Sequence, residues 1–391
     1  MRWKSFGPMG LLLVVCVALA WCFVPDLQAA PLADDGLGGL GLVGVAGTLE
    51  AFLRRTMHTA HERIPVPSRF LIERFFGRAF TFGTRHVDID MVLPKRGMAP
   101  FVHPLHPGKA TAKQGFTMKT YVPPTQKPTK LITPEDLNAR EPGTTIYEAG
   151  ADQPALIARM IGERIAENND ELAFRREWMA AKALFTGQIP IVGPGYDHVI
   201  SFDLPGTHNI TLAAGAIWSE TETATPWDDL VDACRANKDD GQVVSDTIVF
   251  GSGAWKLFRE HLVATKRLDL LDLKLGMVSP VEIDKHTTYL GSLRDADMTV
   301  DMFAYSAQYL DDDGTMKPYV PEDEVFVGST RATGNQVLYG AIQSLFAGSR
   351  KGEVYHDTNI KKNPESIEVL SQSAPLVALL EPAAGTRIKV K

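Results

Sequence analysis

The sequence predicts an α+β fold laid out along one long helix, and three stretches predict it. Residues 152–187, DQPALIARMIGERIAENNDELAFRREWMAAKALFTG, keep their apolar residues to one helical face. Residues 94–148 carry nine prolines and no cluster of hydrophobes large enough for a core. Residues 226–345 alternate short β-branched runs with amphipathic helical ones, the pattern of an α/β unit.

The rod is the frame. Ile157, Ile161, Ile165, Leu172, Met179 and Ala183 fall in steps of three, four or seven, with Met160, Trp178 and Phe185 widening the stripe. Glu163, Arg164, Glu167, Glu171, Arg175 and Arg176 make the wet side. Asp152 can cap the start, Pro154 fits the first turn, and Gly187 with Pro190 ends the helix. At 1.5 Å per residue the rod is about 50 Å long, so its neighbours must lie along it.

Composition sets the bounds. With 391 residues and 45% hydrophobic content the chain can bury a large interior and form two or more domains. A net charge of −7 argues against a protein that coats nucleic acid, since phosphate affinity comes from clustered Lys and Arg. Enclosing nucleic acid remains open. Cys16 and Cys22 lie in an apolar leader, which leaves Cys234 alone in the body. One cysteine makes no disulfide framework and no cysteine-rich metal site, and suits a reducing compartment.

Residues 1–30 resemble an export signal: Arg2 and Lys4 precede GLLLVVCVALAWCFV, and Gln28-Ala29-Ala30 follows without a small residue at the −3 position. The run is short for a membrane span. A Gly/Leu-rich stretch continues to residue 56, and Met57 offers a second start before sequence of ordinary globular composition. Residues 1–56 are therefore read as a leader or an upstream extension, and 57–93 as an amino-terminal arm. In that arm, IPVPSRFLIERFFGRAFTFG predicts a short helix and then an extended piece that must pack on something. Val87, Ile89 and Met91 alternate with His86, Asp88 and Asp90 as a strand.

The proline-rich 94–148 is too long for a structureless loop inside a compact domain. It reads either as an extended β-arm ordered on another subunit or as a mobile surface loop. After the rod, HVISFDL and HNITLAAG read as strands joined by a turn at Pro205-Gly206. Pro226–Asn237 predicts a helix with Trp227, Leu230, Val231 and Cys234 inward. DTIVF is a buried strand, and Gly251-Ser252-Gly253 turns into the helix AWKLFREHLVAT. TTYLGSL, MTVDMFAYSAQYL, VFVGST and VLYGAIQS are further strands, with a turn at Asp312-Asp313-Gly314. SAPLVALLEP and TRIKVK bring strand-like sequence back at the end.

Five places in the sequence invite a chemical reading. Gly251-Ser252-Gly253 stands where a phosphate loop would, yet Trp255 and Lys256 complete neither glycine-rich motif, and a structural turn is the expectation. His103 and His106 lack carboxylate or thiol partners nearby and read as a solvated loop. Asp311-Asp312-Asp313-Gly314 lacks the later bidentate Glu of a calcium loop and reads as a hairpin turn. Glu322, Asp323 and Glu324 read as a charged strand entrance, and Trp178 as core. Neither G-x-S-x-G nor H-E-x-x-H occurs. No residue is assigned a catalytic, cofactor-binding or metal-ligating role.

The order of these segments resembles a known family, the lambda-type phage major capsid proteins of the capsid protein E group. The likeness is densest in YSAQYLDDDGTMKPYVPEDEVFVGSTRATGNQVLYGAIQS and in QSAPLVALLEP. IPVPSRFLIERFFGRAFTF, the rod ending in ALFTG, the Asn209-Ile210 strand and Thr247–Phe250 with Trp255 and Phe258 also fall in order, over roughly Ile64 to Val390. The resemblance implies an HK97-like capsid fold. It makes 149–225 a peripheral domain with the spine helix 152–186, and 226–350 an axial domain. It makes 94–148 an extended loop over the adjacent subunit, with 351–391 returning to the body. It implies a head protein that assembles with itself into pentamers and hexamers of an icosahedral shell. It further implies portal, scaffold and small decoration partners, no sequence-specific DNA contact and no membrane for the body. Location would be the virion, after assembly in the host bacterial cytoplasm. The rival readings are an encapsulin-like cargo compartment and an exported α/β binding protein or hydrolase.

Overall fold

The computed structural model describes residues 69–92, 98–99, 101–108, 116–138, 153–265, 281–295, 298–311, 313–344 and 348–391. The leader 1–56, the cap expected at Asp152 and Asp312 of the 312–314 turn lie outside them.

One helix, Gln153–Thr186, runs for 34 residues. Ile161, Ile165, Leu172, Met179 and Ala183 of the predicted stripe are buried, whereas Ile157 is half-buried. The helix ends as glycine chemistry dictates: Gly187 takes φ +65°, its N–H reaches Ala183 O at 3.0 Å, and a Cβ there would meet Leu204 at 2.6 Å. The predicted wet side needs one correction. Arg176 turns inward and donates to Tyr339 Oη at 2.7 Å, because strand Gln336–Tyr339 runs beneath it.

Two small sheets lie along the rod. In one, Ala79–Thr81 pairs parallel with Gln336–Tyr339, which pairs antiparallel with Pro375–Ala378. In the other, the hairpin Tyr355–Lys362 and Glu365–Gln372 takes Thr129–Ile132 as its third strand. The helix Phe70–Phe75 packs on the rod beside them. The expected short helix and extended piece in 64–83 are thus Phe70–Phe75 and Ala79–Thr81.

A seven-stranded mixed sheet forms the second part. Its order in space is Asn209–Thr211, Gly385–Lys389, Glu324–Gly328, Thr247–Phe250, Met298–Tyr305, Thr287–Asp295, Val281–Asp284. Two pairings are parallel, Thr247–Phe250 with Met298–Tyr305 and Gly385–Lys389 with Asn209–Thr211. Helices Pro226–Asp239 and Ser252–Ala264 pack on it, with Leu230, Ala233, Phe258 and Leu262 inward. Trp227 is only partly buried at the margin of that interior.

Several sequence expectations change once strands find partners. The two strands flanking Pro205-Gly206 do not form a hairpin. Tyr196–Ser201 pairs back on Gln188–Gly193, while Asn209–Thr211 joins the large sheet, and a 3-10 turn at Gly206–His208 separates them. MTVDMFAYSAQYL divides after Tyr305, and Gln308–Leu310 makes its own hairpin with Met316–Pro318. Inside 94–148, Phe116–Tyr121 pairs with Val87–Val92 as an antiparallel ribbon, and Thr129–Ile132 is held by the same chain through Glu365–Gln372.

Candidate assembly surfaces and the buried junctions

Phe70–Phe75 is too short to hold itself, and its first amides need acceptors. The rod supplies one carboxylate for them. Glu177, fully buried, accepts Leu71 N–H at 2.9 Å and Ile72 N–H at 3.2 Å, and also the Tyr305 hydroxyl at 2.7 Å. Phe70 packs on Phe303 and Tyr305 at 5.2 and 5.5 Å, and Arg69 lies over Phe174 at 4.1 Å. Burial holds the Glu177 carboxyl above the ordinary glutamate value, against the pull of the three donors and of Arg69. Burial and the Glu177 charge likewise push Tyr305 and Tyr319 far up. One side chain of the rod therefore ties the amino-terminal helix to the end of the interior strand Met298–Tyr305 of the large sheet. Glu177 sits in line with Ala173, Ala180 and Leu184, all buried, a carboxylate on an apolar row.

A second buried network joins Gly206–His208, helix Pro226–Asp239 and strand Gly385–Lys389. His208 Nδ1 stands 2.9 Å from Thr386 Oγ1 and 3.2 Å from Asn237 Oδ1, and Nε2 lies 3.2 Å from Asp240 Oδ2. Thr386 Oγ1 donates to Asn237 Oδ1 at 2.6 Å, and Asn237 Nδ2 donates to Ser245 Oγ and Val327 O. Hydroxyl, imidazole and carboxylate are the parts of a nucleophilic triad. Here His208, Thr386 and Asn237 are wholly buried and the hydroxyl is spent on an amide, so no substrate reaches it. The network is a structural tie across elements that lie up to 178 residues apart.

Of the five places singled out in the sequence, Gly251-Ser252-Gly253 and Glu322–Glu324 pack directly on each other, and Trp178 and Asp311 line one groove. Gly251 is needed for close packing: a Cβ would stand 2.2 Å from Pro321 O and 2.6 Å from Glu322 O. Glu322 O takes the Ala254 N–H at 2.8 Å, so the chain itself fills the start of helix Ser252–Ala264 where a phosphate would lie. Glu324 pairs with Arg387, Nε donating at 2.8 Å, across adjacent strands. His103 and His106 face each other at 5.9 Å between ring centres in a turn closed by His106 N–H to His103 O. Lys317 bridges Asp311 and Asp313 at the end of the hairpin Gln308–Leu310 and Met316–Pro318. Trp178 is half core and half wall: it packs on the rod interior, Arg175 lies over its ring at 5.2 Å, and its free side lines two grooves. Among the described residues no three His, Cys, Asp or Glu converge on one point, and no helix is long and apolar enough to cross a membrane.

What the surface offers instead is apolar area. Beyond the ribbon Val87–Val92 and Phe116–Tyr121, Met98, Phe101 and Leu105 are almost fully exposed (94, 107 and 88%). Along the rod, a groove of about 680 Å³ is walled by Leu172, Phe174 and Trp178 on one side and Leu310 and Met316 on the other. A neighbouring groove of about 700 Å³ shares Gln126, Lys127, Arg175 and Trp178 with it.

A rod with two flanking sheets, a projecting ribbon with an apolar end and an α/β sheet unit define the HK97-like class of shell-forming subunit. The chain belongs to the family described as phage major capsid protein E, whose profile matches residues 54–390. It is 25% identical over 351 residues to the P21 prophage-derived major head protein of Escherichia coli O6:H1 strain CFT073, covering 86% of this chain and 98% of that one. The same figures hold for the major capsid protein of Enterobacteria phage P21. The crystal structure of a capsid protein assigned to a prophage of E. coli CFT073 superimposes at TM-score 0.62 with 22% identity, over 88% of this chain and 98% of that one. The function is that of a phage or prophage major capsid protein, a shell-forming head protein whose place is the virion.

Proposed function

We propose that the chain is purely structural, a subunit without catalysis of its own, which closes into rings of five and six and then into a shell around DNA. The observation that carries this reading is the pair of exposed apolar surfaces, ribbon end and rod groove, in a chain of the capsid family. Two different patches that meet head to tail make a heterologous contact, the kind that closes rings. In this reading 57–93 is the amino-terminal arm, 94–148 the extended loop over the adjacent subunit, and 149–225 the peripheral domain built on the spine helix 152–186. Residues 226–350 form the axial domain around the five- and six-fold axes. Residues 351–391 return to the body, a role supported by Gly385–Lys389 lying between Asn209–Thr211 and Glu324–Gly328. Residues 1–56 are a leader or upstream extension. Portal, scaffold and decoration proteins complete the particle, and the shell expands by rigid rotation of subunits as DNA enters. The net charge of −7 keeps the wall from gripping the DNA it encloses.

Negative-stain electron microscopy of the full chain beside the chain started at Met57 tests this. Shells, tubes or hexamer sheets are expected. Uniform small particles from both, with the full chain cleaved and exported, would overturn the reading in favour of an exported protein.

A further inference from the structure

We propose that the groove between the base of the ribbon, the rod and the hairpin of Gln188–Gly193 with Tyr196–Ser201 binds an extended acidic peptide of another polypeptide, one that alternates apolar and carboxylate side chains. The binding is a property of the single subunit and stands apart from shell closure.

Three observations converge. First, the charge of the groove is one-sided. Arg85, Lys127 and Arg175 stand exposed at its rim, and none of the residues that line it is Asp or Glu. Glu171, one turn back along the rod, lines the other groove and pairs with Lys130 at 2.6 Å. In a chain with 47 acidic and 40 basic residues, a local surplus of three cations draws an anion to one place.

Second, the groove is built before anything enters it. Pro123 lies against Gly340, where a Cβ would stand 3.2 Å from its ring. Tyr196 Oη accepts Thr125 N–H at 3.4 Å, and Gln126 and Ser373 exchange backbone bonds of 2.8 and 3.0 Å, so the base of the ribbon is tied down on two sides. Ile189, Ile191, Ala341 and Ala374 form a buried apolar floor. At about 700 Å³ the space falls within the range of ligand pockets, and walls held this way spare a ligand the cost of ordering them.

Third, an acceptor is waiting. Gln126 Oε1 is shut from solvent and has no donor among the described residues. A buried acceptor left unpaired is costly, so the site calls for an N–H. A peptide carries one at almost every residue, whereas a phosphodiester backbone carries none. Negative charge combined with backbone donors describes an acidic peptide.

An extended peptide turns successive side chains to opposite sides, so apolar ones can meet the floor while carboxylates reach the rim. The chain itself is a poor source. Residues 93–115 carry Lys95, Arg96, Lys109 and Lys113 and no Asp or Glu, and Asp311, Asp313 and Glu324 are engaged by Lys317 and Arg387.

The test uses the full chain before assembly and a fluorescein-labelled hexapeptide that alternates leucine and glutamate. Fluorescence anisotropy should show it binding at least about tenfold more tightly than a leucine–lysine hexapeptide or a six-nucleotide single strand of DNA, and salt should weaken it. A benzophenone placed in the peptide should, on irradiation of the unsubstituted chain, mark the fragments that hold Trp178 or Tyr196. R85E/K127E, at two exposed positions, should lower the affinity about tenfold. Gln126→Leu, which removes the acceptor and no charge, should lower it about threefold. Adducts elsewhere, or an affinity that either variant leaves unchanged, overturns the proposal. Tighter binding of the DNA strand overturns it in favour of a nucleic-acid groove. Absence of peptide binding overturns it too and leaves the capsid reading intact, because no readout here depends on a shell.

Discussion

The interior along the rod is gathered from Leu71, Met179, Tyr305, Leu338 and Leu376, five elements scattered over the chain, with the Glu177 carboxylate among them. The interior of the seven-stranded sheet is gathered mostly from neighbours in sequence, Leu230, Phe250, Phe258 and Leu293, closed by Ile388. Its buried network is built on an imidazole and an amide instead of a carboxylate. The difference follows from how each is assembled. Apolar burial is non-directional. Successive elements joined by short connections need little else to find their register, whereas a helix as short as Phe70–Phe75, docked from far away, needs directional bonds to fix its place. Glu177 supplies two, and a third from Tyr305 fixes the carboxylate itself.

The largest expected effect tests whether the two interiors are separable. Phe258→Ala empties a fully buried ring site in the sheet and should cost about 3–5 kcal/mol in urea unfolding of the unassembled subunit. Hydrogen exchange should show the loss at Ile248, Phe250 and Met302, with the Leu71 and Ile72 amides still protected. Equal loss at Leu71 and Ile72 would mean that the two interiors unfold as one and would end the comparison.

Next comes the pin itself. Glu177→Ala strands two amides and a hydroxyl and should cost about 3 kcal/mol, while Glu177→Gln, which keeps an acceptor, should cost about 1 kcal/mol. Exchange at Leu71 and Ile72 should accelerate in the alanine variant before anything changes in the sheet.

The same residue gives a pH signature. Its carboxyl is held above the ordinary value, so between that value and the raised one the folded chain keeps a proton that the unfolded chain has released. Stability should therefore fall as pH rises from the ordinary glutamate range through the raised value, and Glu177→Gln should flatten that slope. Asp229, raised by burial although Trp218 Nε1 donates to it at 2.8 Å, adds a slope of the same sign that the Gln variant leaves in place.

The smallest effect concerns Cys234. Burial lifts its thiol to about 11, so a disulfide reagent at pH 8 should react with it far more slowly in the folded chain than in urea. Rapid labelling of the native chain would show that helix Pro226–Asp239 opens locally.

Much of the rod and the large sheet was legible because both follow local periodicity. The helix expected over 152–186 spans Gln153–Thr186, and the strand–helix series from Pro226 to Phe250 and Ser252 to Ala264 appears in order. What local pattern does not carry is partner choice. Nothing in HVISFDLPGTHNIT says that its two strands part company, and the hairpin Tyr355–Gln372, rich in charge and hydroxyls, shows too weak an alternation to announce itself. Glu177 was legible in principle, as a carboxylate in register with Ala173, Ala180 and Leu184. The His208, Asn237 and Thr386 network was not, because its members meet only through tertiary structure. The groove was likewise hidden, since its walls lie in the rod and in residues 308–316.

The parallel pairing of Ala79–Thr81 with Gln336–Tyr339 carries a kinetic consequence. It closes a loop spanning most of the folded chain, and such long closures make folding slow. The four strands between 247 and 305 and the two helices beside them can condense early, while the rest of the sheet waits for 324–328 and 385–389 and the rod waits for strands at 336–339 and 375–378. During that interval the rod's apolar stripe is bare and open to wrong partners. A chain destined for many identical contacts is therefore most vulnerable to misassociation late in folding, and the last strands to dock decide when it becomes safe to crowd.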